Sequence, residues 1–252
     1  MKKTVFYALD FDGVICDSAF ETGMAGWKAA AHLWPDMQEM PDGYIEQFRS
    51  VRPMLETGYE AILIMRLLFE GMQPEILLAA YAETIQALLT RENLDIPQLK
   101  KQFSAIRDVW INEQLEAWLQ LNPLFRGVAE KLQDLNETEW AILTTKQERY
   151  VQAILKARHI DIAEQRIFGL DRNIPKDVVL NNLVQEHPDA SIYFIEDRLP
   201  ALEKIKQNPA LQTIHLQLAT WGYNTEEDRR AAQQQGIELI DLDEFIAEAQ
   251  LS

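Results

Sequence analysis

Cysteine is almost missing from this chain, with one residue, Cys16, in 252. A single thiol makes no internal disulfide and no cysteine-ligated cluster, which excludes a disulfide scaffold or a zinc fold and leads to the expectation of a reducing, cytoplasmic setting. Basic charge is short as well: 24 Lys and Arg stand against 40 Asp and Glu, a formal net charge of -16. Such a chain repels phosphate backbones and anionic lipid, so neither nucleic acid nor membrane is an expected partner. No apolar run approaches the roughly 20 residues of a bilayer span; the richest, AILIMRLLF from Ala61 and EILLAAYA from Glu75, are short and carry charge. The N-terminal MKKTVFYALDFDG starts like a secretory signal, but Asp10 and Asp12 interrupt its apolar run and no small-residue cleavage site follows. It is expected to be a buried strand. His32, His159, His187 and His215 are scattered without metal-ligand spacing. What is present is an apolar content of 47%, enough over this length for one large hydrophobic core or two smaller ones.

Two textures alternate along the chain. Across residues 19–121 the apolar positions recur at helical spacing, and Phe20, Met24, Trp27, Ala31 and Trp34 fall on one face. Pro53, Pro74 and Pro97 each precede an apolar-periodic segment, as proline does at a first helical position, where its missing N–H is not needed. Trp27, Trp34, Trp110 and Trp118 are expected in the core of this stretch. Elsewhere, short apolar runs at 4–9, 140–143, 191–195, 213–218 and 238–240 read as buried parallel strands. Helical segments at 127–135, 148–157, 176–185 and 225–235 separate them, which predicts a doubly wound parallel sheet. The expected architecture is an α/β domain, residues 1–18 and 122–252, with an all-helical domain, residues 19–121, inserted after the first strand.

In open parallel sheets ligands bind beyond the carboxyl ends of the strands, so the residues that follow each strand are the candidates for chemistry. The first strand runs into Asp10-Phe11-Asp12-Gly13; in extended chain residues two apart point to the same side, so both carboxylates face one pocket. The run at 140–143 ends in Thr144-Thr145-Lys146, the run at 191–195 in Glu196-Asp197-Arg198, and Lys176 opens the helix between them. Carboxylates converging at one sheet edge repel each other unless a cation sits among them, and hard oxygen donors point to Mg²⁺. That ion completes its shell with substrate phosphate oxygen, while a nearby hydroxyl and ammonium hold the other oxygens. Gly13, which permits a sharp turn, and Thr145 are candidate substrate contacts. Taken singly, an Asp-x-Asp-Gly string is usually a solvated turn, Glu196-Asp197-Arg198 a surface cluster and Thr144 a helix cap. Their order along the chain favours phosphoryl transfer.

DFDGVICDS from Asp10, AILTTKQ from Ala141 and FIEDR from Phe194 resemble the first, second and fourth motifs of the haloacid dehalogenase-like hydrolases, in the branch of phosphoglycolate phosphatases and β-phosphoglucomutases. LFRGVAEKLQDL before the second strand and ATWGY after the fifth are also similar to that branch, as is a helical cap inserted after the first motif. The resemblance implies a Rossmann-like core and Mg²⁺-dependent hydrolysis of a small phosphorylated metabolite through an aspartyl phosphate. It implies Asp10 as nucleophile, Asp12 as acid and then base, and Thr144 and Lys176 as ligands of the phosphoryl oxygens. Mg²⁺ would be held by Asp10 and Asp197, by the backbone carbonyl of Asp12, and by Glu196 directly or through water. Two departures stand out: Ala201 replaces a common further acid, and Lys176 follows Pro175 where the branch usually has proline after the lysine. Lys146 is therefore its competitor.

Residues 19–121 hold 15 acidic against 8 basic side chains. On that background Arg49 and Arg52 are candidates to meet an anionic substrate, or else an exposed pair on a helical face. Two other readings stay open: a phosphomutase of the β-phosphoglucomutase type, and a catalytically inactive module that uses the acidic pocket to bind metal. True haloacid dehalogenases and phosphonatases are disfavoured because they lack the second aspartate of the first motif, here Asp12.

Overall fold

The computed structural model describes residues 4–135 and 139–247. In chain order its elements are β1 (Val5–Leu9), α1 (Ala19–Leu33), α2 (Tyr44–Val51), α3 (Glu60–Phe69), α4 (Pro74–Ala79), α5 (Tyr81–Arg91), α6 (Ile96–Gln120), α7 (Val128–Asp134), β2 (Trp140–Leu143), α8 (Glu148–Ala157), β3 (Ile167–Phe168), α9 (Lys176–Glu186), β4 (Ser191–Glu196), α10 (Leu199–Lys206), β5 (His215–Ala219), α11 (Glu226–Gln234), β6 (Glu238–Ile240) and α12 (Leu242–Ala247). The residues up to Asp17 and from Pro123 onward make one compact unit, and Ser18–Asn122 make the other.

The first unit is built on a six-stranded parallel sheet in the order β3-β2-β1-β4-β5-β6. Its strands read as continuous apolar runs because both faces are covered: all four residues of β2 are fully buried. On one face Phe6, Ala8, Leu143 and Phe194 pack with Leu180 of α9 and Leu202 of α10. The order turns back at β1, with β2 on one side and β4 on the other, so the carboxyl ends of β1 and β4 flank the switch point where ligands bind in such sheets. Register does the rest. Leu9 pairs with Ile195, and the next residue on each strand is an acid, Asp10 and Glu196.

The structure adds elements that the apolar pattern did not announce. β3 is only two residues long and sits at the sheet edge beside β2, too short for any period to register. α10 and α12 lie outside the expected helical segments, and β5 begins at His215, because Ile214 closes a turn with its N–H on the Leu211 carbonyl.

In the second unit α1 packs chiefly on α3. The expected apolar face of α1 is corrected: Phe20 is 38% exposed and Trp34 lies beyond the helix as its C-cap. Trp27 is buried as expected, and the helix also buries small residues, among them Ala19, Gly23, Gly26 and Ala30. Closeness explains the choice, since a Cβ on Gly26 would lie 2.7 Å from the Ala61 carbonyl oxygen. Pro74 and Pro97 do stand in the first turns of α4 and α6, whereas Pro53 lies in a 3-10 turn, Arg52–Met54, and the next α-helix starts at Glu60. All four tryptophans of this stretch are buried. Glu21 of α1, fully buried, accepts from Arg107 Nε (2.7 Å) and Trp118 Nε1 (2.9 Å) of α6, which ties the two helices by a charge pair. Among the described residues no helix is long and apolar enough to cross a membrane.

Candidate active site

The N–H of Asp10 donates to the Ile195 carbonyl at 2.9 Å, continuing the β1–β4 ladder by one residue and fixing the Asp10 side chain beside Glu196. Asp10, Glu196 and Asp197 are all buried, and each offers a carboxylate oxygen within 4.8 Å of the others. Lys176, the first residue of α9, reaches between two of them, with Nζ 2.6 Å from Asp10 Oδ1 and 2.7 Å from Glu196 Oε2. Asp12 stands apart from this group and takes its own cation: Lys146 Nζ lies 2.9 Å from Asp12 Oδ1. The two candidate lysines are therefore both at the site, on different acids.

Four carboxylates and two ammoniums share this mostly buried cluster. Burial, with the Glu196 charge next in size, pushes Asp10 up to about 7, against the pull of Lys176. Burial alone would lower Lys176; the charges of Asp10 and Glu196 overcome it and hold the ammonium above the ordinary lysine range.

Thr144, buried at the end of β2, donates its N–H to the Phe168 carbonyl at 2.9 Å and accepts the Lys146 N–H on Oγ1 at 3.1 Å. It caps no helix, because the N-cap of α8 is Gln147. Thr145 beside it is exposed. Gly13 has φ +93°, and a Cβ there would fall 1.9 Å from Asp197 Oδ2, so its lack of a side chain is what lets the Asp197 carboxylate in. Arg49 and Arg52 belong to the helical unit. Arg49 is exposed on α2, but Arg52 is 5% exposed and donates Nη1 to the Leu55 carbonyl at 3.2 Å, so the two are not an exposed pair.

Several supporting residues were not anticipated. Tyr223 donates its backbone N–H to Asp197 Oδ2 (2.7 Å), and Asn224 Nδ2 donates to the Asp197 carbonyl (3.0 Å) and the Ala219 carbonyl (2.8 Å). Glu148 accepts the N–H groups of Gly169, Asp171 and Arg172 at 3.0 to 3.1 Å, which fastens the turn after β3 to the start of α8. Burial raises the Glu148 pKa, yet these backbone donors outweigh it and hold the carboxyl below its usual range. The Gly-Tyr-Asn turn three residues beyond the end of β5 was the available signal for Tyr223 and Asn224, since residues after a strand of this sheet sit at the ligand edge.

Comparison with family models finds no match, and comparison with curated proteins finds none. Solved structures do match along the full chain. A predicted phosphoglycolate phosphatase from Haemophilus somnus 129PT superposes with a TM-score of 0.62 at 16% identity, covering 100% of this chain and 99% of that one. A haloacid dehalogenase-like protein from Agrobacterium tumefaciens gives 0.54 at 13% identity over 98% and 97%. Protein tyrosine kinase A from Mycobacterium tuberculosis gives 0.54 at 17% over 100% of both chains. The fold of this chain, a six-stranded parallel α/β core with a helical insertion after its first strand, is that of the haloacid dehalogenase-like proteins.

Proposed function

We propose that the chain is a Mg²⁺-dependent phosphatase that hydrolyses a small phosphorylated metabolite through an aspartyl phosphate on Asp10. The observation that carries this reading is the division of labour among the charges: Asp10 lies in a three-carboxylate group with Lys176 across it, while Asp12, two residues on, is held separately by Lys146. A fold shared with a predicted phosphoglycolate phosphatase supports it, although the same fold in a protein tyrosine kinase shows that the site, and not the fold, must bear the argument.

The residues present fit Mg²⁺. The donors are hard oxygens, and Asp10, Glu196 and Asp197 bring carboxylate oxygens within 4.8 Å of one another, where a divalent ion would relieve their mutual repulsion. Asp10 and Asp197 would hold it with the Asp12 carbonyl, and Glu196 would stand at its edge. When bound, the ion supplies charge neutralisation and polarises the phosphoryl group. The remaining work belongs to the chain. An Asp10 oxygen attacks phosphorus as the bond to the substrate oxygen breaks, and Asp12 gives its proton to that leaving oxygen. Thr144 and Lys176 hold the non-bridging oxygens. Asp12, now a carboxylate, takes a proton from water as the water oxygen attacks phosphorus, which releases inorganic phosphate and returns Asp10. Arg49 or Arg52 contributes to selecting an anionic substrate. Nucleic acid and membrane are not partners in this reading, and the setting is the cytoplasm.

The test is a panel of phosphate esters, including sugar phosphates, phosphoglycolate, nucleotides and 4-nitrophenyl phosphate, assayed with and without Mg²⁺. Phosphate release that needs Mg²⁺ and is lost in Asp10→Asn supports the proposal. Transfer to a sugar hydroxyl in preference to water would mark a phosphomutase, and metal binding without turnover of any ester an interaction module.

A further inference from the structure

Tyr223 has two ends in use, and the reaction as written employs neither. Its backbone N–H donates to Asp197 Oδ2 at 2.7 Å, and its phenol donates to Asp17 Oδ1 at 2.8 Å. Asp17 is the last residue of the α/β unit before the chain enters the helical one. The returning chain runs beside it: the Asp17 N–H donates to the Pro123 carbonyl at 2.9 Å, the Phe125 N–H to the Ile15 carbonyl at 3.1 Å, and Cys16 and Leu124 form an antiparallel bridge. The outgoing and incoming crossings are thus one two-stranded ribbon. Trp221 grips the same ribbon, with Nε1 3.1 Å from the Val14 carbonyl oxygen. The closeness of this loop to the metal ligand is built in, because a Cβ on Gly222 would come 2.3 Å from Asp197 Cβ and 2.4 Å from the Gly13 oxygen.

We infer that Tyr223 is a positioning residue that couples occupancy of the Asp10–Glu196–Asp197 site to the order of the ribbon through its hydrogen bond to Asp17. This rests on the reading of that site as a Mg²⁺ site. A cation that fixes the Asp197 carboxylate fixes the N–H donor on it, and an aromatic side chain with two torsions carries the restraint to Asp17 with little slack. By linkage the coupling runs both ways: ordering the ribbon strengthens metal binding by the same factor.

Hydrogen exchange of the full-length chain, without and with saturating Mg²⁺, tests it in the wild type, Tyr223→Phe, Asp17→Ala and Asp17→Asn, with Mg²⁺ binding measured separately by heat titration. In the wild type Mg²⁺ slows exchange of the ribbon amides by at least about fivefold, the lower edge of ordinary coupling. Tyr223→Phe and Asp17→Ala bind Mg²⁺, yet their ribbon exchange does not respond to it. Asp17→Asn, whose amide oxygen still accepts from the phenol, keeps the response. An undiminished response in Tyr223→Phe overturns the inference, as does a wild type that binds Mg²⁺ with no change in the ribbon. A wild type that binds no Mg²⁺ overturns the metal-site reading and the inference together.

Discussion

Lys146 and Asp12, 134 residues apart in the chain, meet at 2.9 Å, with the Lys146 side chain almost wholly buried. The ammonium is thereby fixed on the carboxyl that the proposed reaction uses twice, as acid and as base. Lys176 contacts Asp10, the proposed nucleophile, instead, and its second contact, on Glu196, holds it there.

Asp12→Ala should slow phosphate release from an alkyl ester by roughly 10² to 10⁴, the ordinary worth of a general acid/base, and from 4-nitrophenyl phosphate by much less in the phosphorylation step. Lys146→Met should show the same leaving-group dependence with a smaller loss, whereas Lys176→Met should slow both esters alike. Single-turnover rates on the two esters check this; equal losses in Asp12→Ala would remove its acid role.

Asp10 gives the folded chain a distinct pH dependence. Its carboxyl titrates near 7 in the folded protein against an ordinary 3.8. Between those values the folded state keeps a proton that the unfolded chain has lost, so the Asp10 contribution is fully present below about 4 and is lost as pH rises through about 7. Asp10→Asn should abolish turnover, keep the fold and flatten that slope in the metal-free protein. Mg²⁺ requires the ionised carboxylate, so it should raise the unfolding temperature more above pH 7 than below it. Melting curves across pH decide the point, and a slope unchanged in Asp10→Asn would assign it to another group.

Asp197→Ala should raise the Mg²⁺ concentration needed for half-maximal activity far more than Glu196→Ala. Both Glu196 oxygens are already engaged, Oε2 with the Lys176 ammonium and Oε1 with the Arg198 N–H at 3.2 Å, whereas Asp197 Oδ2 accepts from a neutral backbone donor, the Tyr223 N–H at 2.7 Å. A metal titration of the two variants measures this, and like behaviour would make Glu196 an equal ligand.

The buried Glu21–Arg107 pair predicts an asymmetry in the helical unit. Arg107→Met leaves a fully buried carboxylate without its cation and should cost about 3–5 kcal/mol, while Glu21→Gln combined with Arg107→Met should recover much of that. Denaturant unfolding followed by tryptophan fluorescence compares them; a double variant no better than Arg107→Met alone would contradict the argument.

Much of the sheet was legible because β1, β2 and β4 are buried on both faces, which writes them into the sequence as unbroken apolar runs ending in polar residues. Asp10, Asp12, Thr144, Glu196 and Asp197 were legible as candidates for the same reason, as the residues that follow those runs, and Lys176 as the residue that opens the helix between two of them. β3 was not, because two edge residues carry no period. The face of α1 was misread because hydrophobicity favours Phe20 and Met24, whereas close helix contact at Ala61 selects glycine and alanine. The pairing of Lys146 with Asp12 and the grip of Tyr223 on Asp197 join residues far apart in sequence, and only the register of the sheet and the path of its loops bring them together.

The bridge between Cys16 and Leu124 changes what the helical unit is from the sheet's point of view. Because the two crossings are hydrogen-bonded side by side, the whole of Ser18–Asn122 closes like the loop of a hairpin. Loop closure grows only logarithmically with length, so replacing or resizing that segment alters the entropy of the core by well under the worth of one buried leucine, about 0.6 kcal/mol per doubling. The inserted helices can therefore change in length at little cost to the core that holds the charges at the strand ends.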